Sequence, residues 1–210
     1  QRIKSVKNTK KMTKAMEMVS AAKMRKAVQA TLATRLYATL ARDLLLRLSK
    51  MESVETPLTE VRPVENILLL LVSSNRGLCG SFNSNVFKKA QKLLKDKIAI
   101  AEQPIVDGQK IPVNTEPKVD IIGVGRKSAA FAKKHGYNLI AAFDDLPVKP
   151  TFSDISPISS MARQGFLEKK YDKVFVIYTD FVSSLRQEVR IRQLLPVTNQ
   201  EIEALLGDVY

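Results

Sequence analysis

Four groups of residues in this sequence have types and spacings that invite a chemical reading. "GVGRKS" at 123–128 joins an apolar run to a helix-forming run, as a phosphate-binding loop would. Such a loop needs a glycine directly before its lysine so that backbone N–H groups can close on the phosphates, and that position is Arg126. A dinucleotide fingerprint would need glycine where Ser128 stands. The segment therefore reads as a tight structural turn. "SSNRGLCGSFN" at 73–83 is a second glycine-bearing turn after an apolar run, without a phosphate-binding lysine. The chain has one cysteine, Cys79, and one histidine, His135. A nucleophile and base need a third orienting group, and the sequence suggests none. Cys79 reads instead as a small buried residue and His135 as a surface residue near a helix end. Asp144 and Asp145 precede Pro147 and read as a solvated turn rather than an acid and base. One cysteine and one histidine cannot make a zinc site or an internal disulfide. No cofactor, metal or catalytic residue is expected.

The elements that carry these groups begin late. The first proline is Pro57 and the first glycine Gly77, so residues 1–56, rich in Lys, Ala, Leu, Met and Arg, are predicted to form one long helix. About 50 helical residues span about 75 Å, more than the diameter of a domain of this size. Met12, Ala15, Met16, Val19 and Ala22 share a narrow apolar stripe of this helix, and Lys7, Lys10, Lys11, Lys14 and Arg25 crowd the other side. Farther along, Leu36, Leu40, Leu44 and Leu48, with Ala33, Tyr37 and Ala41, make a fuller face suited to packing on a core.

Residues 57–210 alternate strand and helix patterns. "NILLLLV" (66–72), "VDIIGV" (119–124), "YNLIAAF" (137–143), "DKVFVIYTDF" (172–181) and "QEVRIRQLL" (187–195) read as strands. Residues 86–97, 126–136 and 153–170 read as helices, the last interrupted by Pro157 and Gly165. The alternation of Val189 and Ile191 with Arg190 and Arg192 predicts a sheet-edge strand with one wet face. Residues 102–117 read as a hairpin or loop excursion. The fold class is α/β, an open, mostly parallel sheet with flanking helices behind a long N-terminal helix.

Charge narrows the partners. The formal charge is +13 over 210 residues, with 45% apolar content. A basic excess of this size calls for an acidic partner, whether nucleic acid, an anionic membrane surface or an acidic protein face. The most apolar run, Ile67–Val72, is far shorter than the ~20 residues a membrane-spanning helix needs, and the lone cysteine fits a reducing compartment.

"KNTKKMTKAMEMVSAAKMRKA" and "SSNRGLCGSFN", followed by "GVGRKSAAFAKKHGY" and "DKVFVIYTDFVSSLRQEVRIRQLLP", closely resemble the gamma subunit family of the rotary F-type ATP synthase. The resemblance covers essentially the whole chain. It implies that the N-terminal helix pairs with a C-terminal helix, expected after residue 210, in an antiparallel coiled-coil shaft inside a ring of alpha and beta subunits. It implies an α/β domain that meets an epsilon-type subunit and the c-ring, with rotation coupling proton passage to ATP synthesis or hydrolysis on beta. On this reading Met12, Ala15, Met16, Val19 and Ala22 form the shaft seam, and Lys10, Lys11, Lys14 and Arg25 meet the alpha/beta ring, where beta presents an acidic loop. Arg76, Gly77, Leu78, Cys79 and Gly80 form a structural turn near the foot. The protein is then a non-catalytic, peripheral membrane component on the cytoplasmic face of a bacterial membrane or the matrix side of an organelle. Asn75 stands where the family usually has aspartate, which removes a carboxylate beside Arg76. A nucleic-acid-binding module is the alternative that the basic helix permits, and a small-molecule α/β enzyme is a second.

Overall fold

In the computed structural model, residues 1–49, 56–102, 116–147 and 149–198 are described, and the chain divides into two units, Gln1–Leu48 and Ser49–Tyr210. The expected 102–117 excursion and residues after 198 fall mostly outside the described residues.

The first unit is a single helix, α1 (Arg2–Ser49), 48 residues without a break and about 72 Å long. No glycine or proline interrupts it, and its threonines turn their hydroxyls back onto the helix backbone. Thr9, Thr13, Thr31, Thr34 and Thr39 each donate the hydroxyl to the carbonyl four residues earlier, at 2.9–3.1 Å. These side chains are satisfied within the helix and need no outside partner.

The second unit contains β1 (Asn66–Val72), α2 (Phe82–Lys95), α3 (Lys97–Ala101), β2 (Lys118–Val124), α4 (Arg126–Lys134), β3 (Asn138–Phe143), α5 (Phe152–Leu167), β4 (Lys173–Phe181) and β5 (Gln187–Leu195). The sheet order is β3-β2-β1-β4-β5. β1 pairs in parallel with β2 and β4, β2 pairs in parallel with β3, and β5 closes one edge antiparallel to β4. β1 is central and apolar on both faces. Ile67, Leu69 and Leu71 pack with Val86, Ala90 and Leu94 of α2 and Phe131 of α4, while Leu68 and Leu70 pack with Ile158, Ala162 and Phe166 of α5. A run of consecutive leucines is what a strand covered on both sides requires.

Several expectations need correction. α2 begins at Phe82 rather than residue 86, because Asn83 spends its polar side chain on the preceding turn and is free to be helical. The helical run also breaks at Asp96, whose carboxylate accepts from Ala99 N at 3.2 Å and starts α3. α5 is continuous through Pro157 and Gly165. Burial of Ile158, Ala162 and Phe166 outweighs the hydrogen bond lost at Pro157, and a Cβ on Gly165 would lie 2.7 Å from the Tyr171 ring, so glycine serves close packing there.

The arginine face of β5 is half covered rather than wet: Arg190 pairs with Asp180 at 3.1 Å and its side chain is 19% exposed. The fuller apolar face expected on the second half of α1 is described only in part. Tyr37, Leu40 and Leu44 are exposed and Ala41 is half-buried, while the side chains of Leu36 and Leu48 lie outside the described residues. An apolar helical face calls for a cover without specifying whose it is.

Candidate functional site

In open α/β sheets ligands bind at the carboxyl ends of the strands, so the turns after β1 and β2 are the first place to look. Here those turns close on each other. Gly125 has φ +93, and a Cβ there would lie 2.3 Å from the carbonyl oxygen of Ser73. Only glycine fits this contact, because L side chains are disfavoured at that φ and the space is filled by backbone. Ser73 N donates to Val124 O at 2.8 Å and Lys127 N to Ser74 O at 3.1 Å. Arg126 N donates to the Asn75 side-chain oxygen at 2.9 Å.

The first N–H groups of α4, which a phosphate would need, are therefore taken by protein. The sequence reading of "GVGRKS" as a structural turn finds its reason here. Asn75 gains a role that its position beside Arg76 did not suggest, since its carbonyl acts across the sheet on α4. The clue available in sequence was its type, because asparagine is a common helix-capping residue.

The β1–α2 turn is built on Asn83 and Ser74. Asn83 Oδ1 accepts from Ser74 N at 3.1 Å, and Asn83 Nδ2 donates to Ser74 Oγ at 2.8 Å and to Cys79 Sγ at 3.1 Å. The Ser74 hydroxyl donates to Arg76 O. Cys79 is half-exposed rather than buried, and its sulfur is an acceptor inside this turn. His135 is exposed at the opposite end of α4, about 13 Å along the helix from Arg126. Its Nδ1 lies 3.0 Å from Phe131 O and its Nε2 3.1 Å from the Gln91 amide. Cys79 and His135 thus sit at different ends of the same layer. Asp144 and Asp145 are exposed, and Asp144 lies 3.6 Å from Arg126 Nε.

Among the described residues no cluster of His, Cys, Asp and Glu could hold a metal ion. A polar groove of about 480 Å³ runs between the turn (Cys79, Gly80, Phe82) and the β4–β5 hairpin (Thr179, Leu185, Gln187). Next to Cys79 in the turn, Leu78 is 97% exposed and adopts φ 61, an uncommon conformation for a side-chain-bearing residue. Leu185 is 98% exposed across the groove. These leucines are presented outward, with no buried polar set between them to do chemistry.

On α1 the seam residues Met12, Met16 and Val19 are more than half exposed, and Ala15 and Ala22 are exposed as well. Lys10, Lys11, Lys14 and Arg25 are also exposed. The helix thus carries an uncovered small apolar stripe beside an uncovered cationic surface. Among the described residues no helix is long and apolar enough to cross a membrane.

A family model described as ATP synthase matches residues 1–208. ATP synthase gamma chains of Chlorobaculum tepidum and Chlorobaculum parvum are 36% and 35% identical over 94% and 100% of this chain, which spans 64% and 68% of their lengths. The rotor of the Euglena gracilis mitochondrial ATP synthase in rotational state 1 shares the fold, with a TM-score of 0.58 at 18% identity, over 95% of this chain and 63% of that one. The family match over nearly the whole sequence and the identity to curated gamma chains agree with each other: the chain belongs to the ATP synthase gamma chain family.

Proposed function

We propose that the chain is the central rotor-stalk subunit of an F-type ATP synthase, a non-catalytic part that couples proton passage through the c-ring to ATP synthesis or hydrolysis on the beta subunits. The observation that carries this reading is the unbroken 48-residue α1, exposed along a cationic surface and a small apolar seam. A rod of that kind is built to be covered by something else.

In this reading residues 1–56 are shaft and 57–210 the α/β domain. Met12, Ala15, Met16, Val19 and Ala22 pair with a second shaft helix along a narrow apolar seam of the kind that helix pairing uses. Lys10, Lys11, Lys14 and Arg25 face the alpha and beta subunits. Exposed ion pairs are worth about 0–1 kcal/mol each, near RT of about 0.6 kcal/mol, so a distributed set guides a turning rod without trapping it at one angle. The Arg76–Gly80 turn and the sheet lie toward the foot, with an epsilon-type subunit and the c-ring as partners. Membrane association is peripheral, through the complex, at a cytoplasmic or matrix face. No nucleotide or metal is held by the chain itself.

Co-purification is the test. Tagged protein should bring down alpha and beta subunits with ATPase activity, while the isolated chain should neither hydrolyse ATP nor bind it with sub-micromolar affinity in calorimetry. Nucleotide turnover by the chain alone would overturn this reading, and so would recovery of a sequence-preferred nucleic acid in place of the subunits.

A further inference from the structure

Resting on the rotor reading, which brings the chain to a membrane, we infer that the outer face of α2 and α4 docks on a surface of anionic lipid headgroups. The two helices cover one face of the sheet, with Val86, Ala90 and Leu94 of α2 and Phe131 and Ala132 of α4 buried in the same core cluster. Phe87 stacks on Phe131 with centroids 4.4 Å apart, and one turn later on each helix the Gln91 amide lies 3.1 Å from His135 Nε2. Contacts at matching turns mean that the helices run parallel, side by side. They present a broad outer face rather than a groove.

That face is cationic. On α2, Lys88, Lys92 and Lys95 are exposed on the stripe opposite Val86, Ala90 and Leu94. On α4, Arg126 and Lys133 are exposed opposite Phe131 and Ala132, with Lys127 and Lys134 exposed beside them. Neither helix contains an aspartate or glutamate. Two carboxylates just beyond the layer are engaged: Asp96 accepts from Ala99 N at 3.2 Å, and Asp144 lies 3.6 Å from Arg126 Nε.

Helix stability does not account for this charge. Lysines in a last turn suit the negative end of a helix, but Arg126 and Lys127 occupy the first turn of α4, where cations are unfavourable. Lys88 and Lys92, four residues apart on one helix, repel each other. An anionic surface laid against the layer relieves both costs. The residue types then select the surface. Lysine is a compact, hydrated charge suited to a diffuse array of headgroups, whereas the arginine fork suits fixed phosphates. Nucleic acid would find no exposed ring on which to stack a base, because Phe87, Phe131 and Tyr137 pack against one another within the layer. Lipids also move in their own plane, so a turning rotor meets no fixed charge at any one angle.

The test adds the purified complex of the chain with alpha and beta subunits to protein-free vesicles and measures flotation. Wild type should float with vesicles of phosphatidylcholine mixed with phosphatidylglycerol, stay behind with phosphatidylcholine alone, and be released as salt rises. A lysine near such a surface is worth roughly fivefold in partition, so the triple variant Lys88→Gln, Lys92→Gln, Lys133→Gln should bind at least about tenfold more weakly. The control removes equal charge from exposed lysines elsewhere in the sheet unit, Lys118→Gln, Lys149→Gln and Lys170→Gln, and should stay within about twofold of wild type. Equal losses in the two variants would make the binding a matter of net charge, and binding only to vesicles that carry the c-ring would make the partner a protein. Either result overturns the inference, as does wild type that floats with neither lipid mixture. Failure of the chain to assemble with alpha and beta overturns the rotor reading instead, and the two variants are then compared as isolated chains on the same vesicles.

Discussion

The helix α1 and the five-stranded sheet are built on opposite rules. In the sheet, Ile67, Leu68, Leu69 and Leu71 of β1 are fully buried and each has a partner in the chain. In α1, Met12, Met16, Val19, Leu40 and Leu44 are apolar and exposed. The same residue classes serve folding in one region and are left available for other surfaces in the other. A substitution should therefore register in stability when it falls in the sheet and in assembly when it falls on the rod.

The largest contrast is expected from truncation. Leu69→Ala should lower the unfolding free energy by about 2–5 kcal/mol in urea titrations followed by circular dichroism. Met12→Ala should stay within about 0.5 kcal/mol of wild type. A comparable loss at Met12 would mean that α1 is packed within the isolated chain.

Glycines sharpen the comparison within the sheet unit. Gly125→Ala forces a Cβ into Ser73 O at a left-handed φ and should cost about 3 kcal/mol or more. Gly77→Ala has nothing within 4 Å and should be close to neutral, within about 0.5 kcal/mol. If the two behave alike, the contact between the β1 and β2 turns is not what holds that edge.

The turn that carries Gly77 offers a change of opposite sign. Leu78 holds a left-handed φ while exposed, so Leu78→Gly should stabilise the isolated chain by about 1 kcal/mol. Asn75→Ala should cost about 1 kcal/mol through the lost bond to Arg126 N, and Asn75→Asp should restore it, since a carboxylate suits the α4 N-terminus. Melting temperatures of these variants check the opposite signs.

The smallest expected effect is titration at the start of α5. Thr151 donates both its hydroxyl and its backbone N–H to the Asp154 carboxylate and holds its pKa below the ordinary 3.8. A carboxyl lowered on folding adds stability above its unfolded pKa and loses it as pH falls through the folded value. Hydrogen exchange at the first turn of α5 should accelerate only below the ordinary carboxylate range, and Asp154→Asn should abolish that pH step.

What the sequence made legible follows from what local pattern encodes. Four apolar runs and one alternating run announced five strands, and the long stretch without glycine or proline announced α1, because period and breakers act within a few residues. The tight turn at 123–128 was also legible, from Arg126 and Ser128. Contacts at long separation were not. Asn75 on α4, Arg62 on Asp172 and Lys173 capping the carbonyls of Ile100 and Glu102 join residues 51, 110 and about 70 positions apart. A charged residue inside a strand pattern gives no sign that it will be buried, as Lys173 is, until its partners are placed. The continuity of α5 was misread for the same reason: Pro157 is a local signal, and the burial that overrides it is not.

The most direct measurement of the central claim attaches a visible label to the sheet unit of the chain in a complex whose beta subunits are fixed to a surface. During ATP hydrolysis the label should turn in one direction, stepwise, relative to the fixed subunits. Sustained hydrolysis with a stationary label would contradict the account of this chain as a rotor.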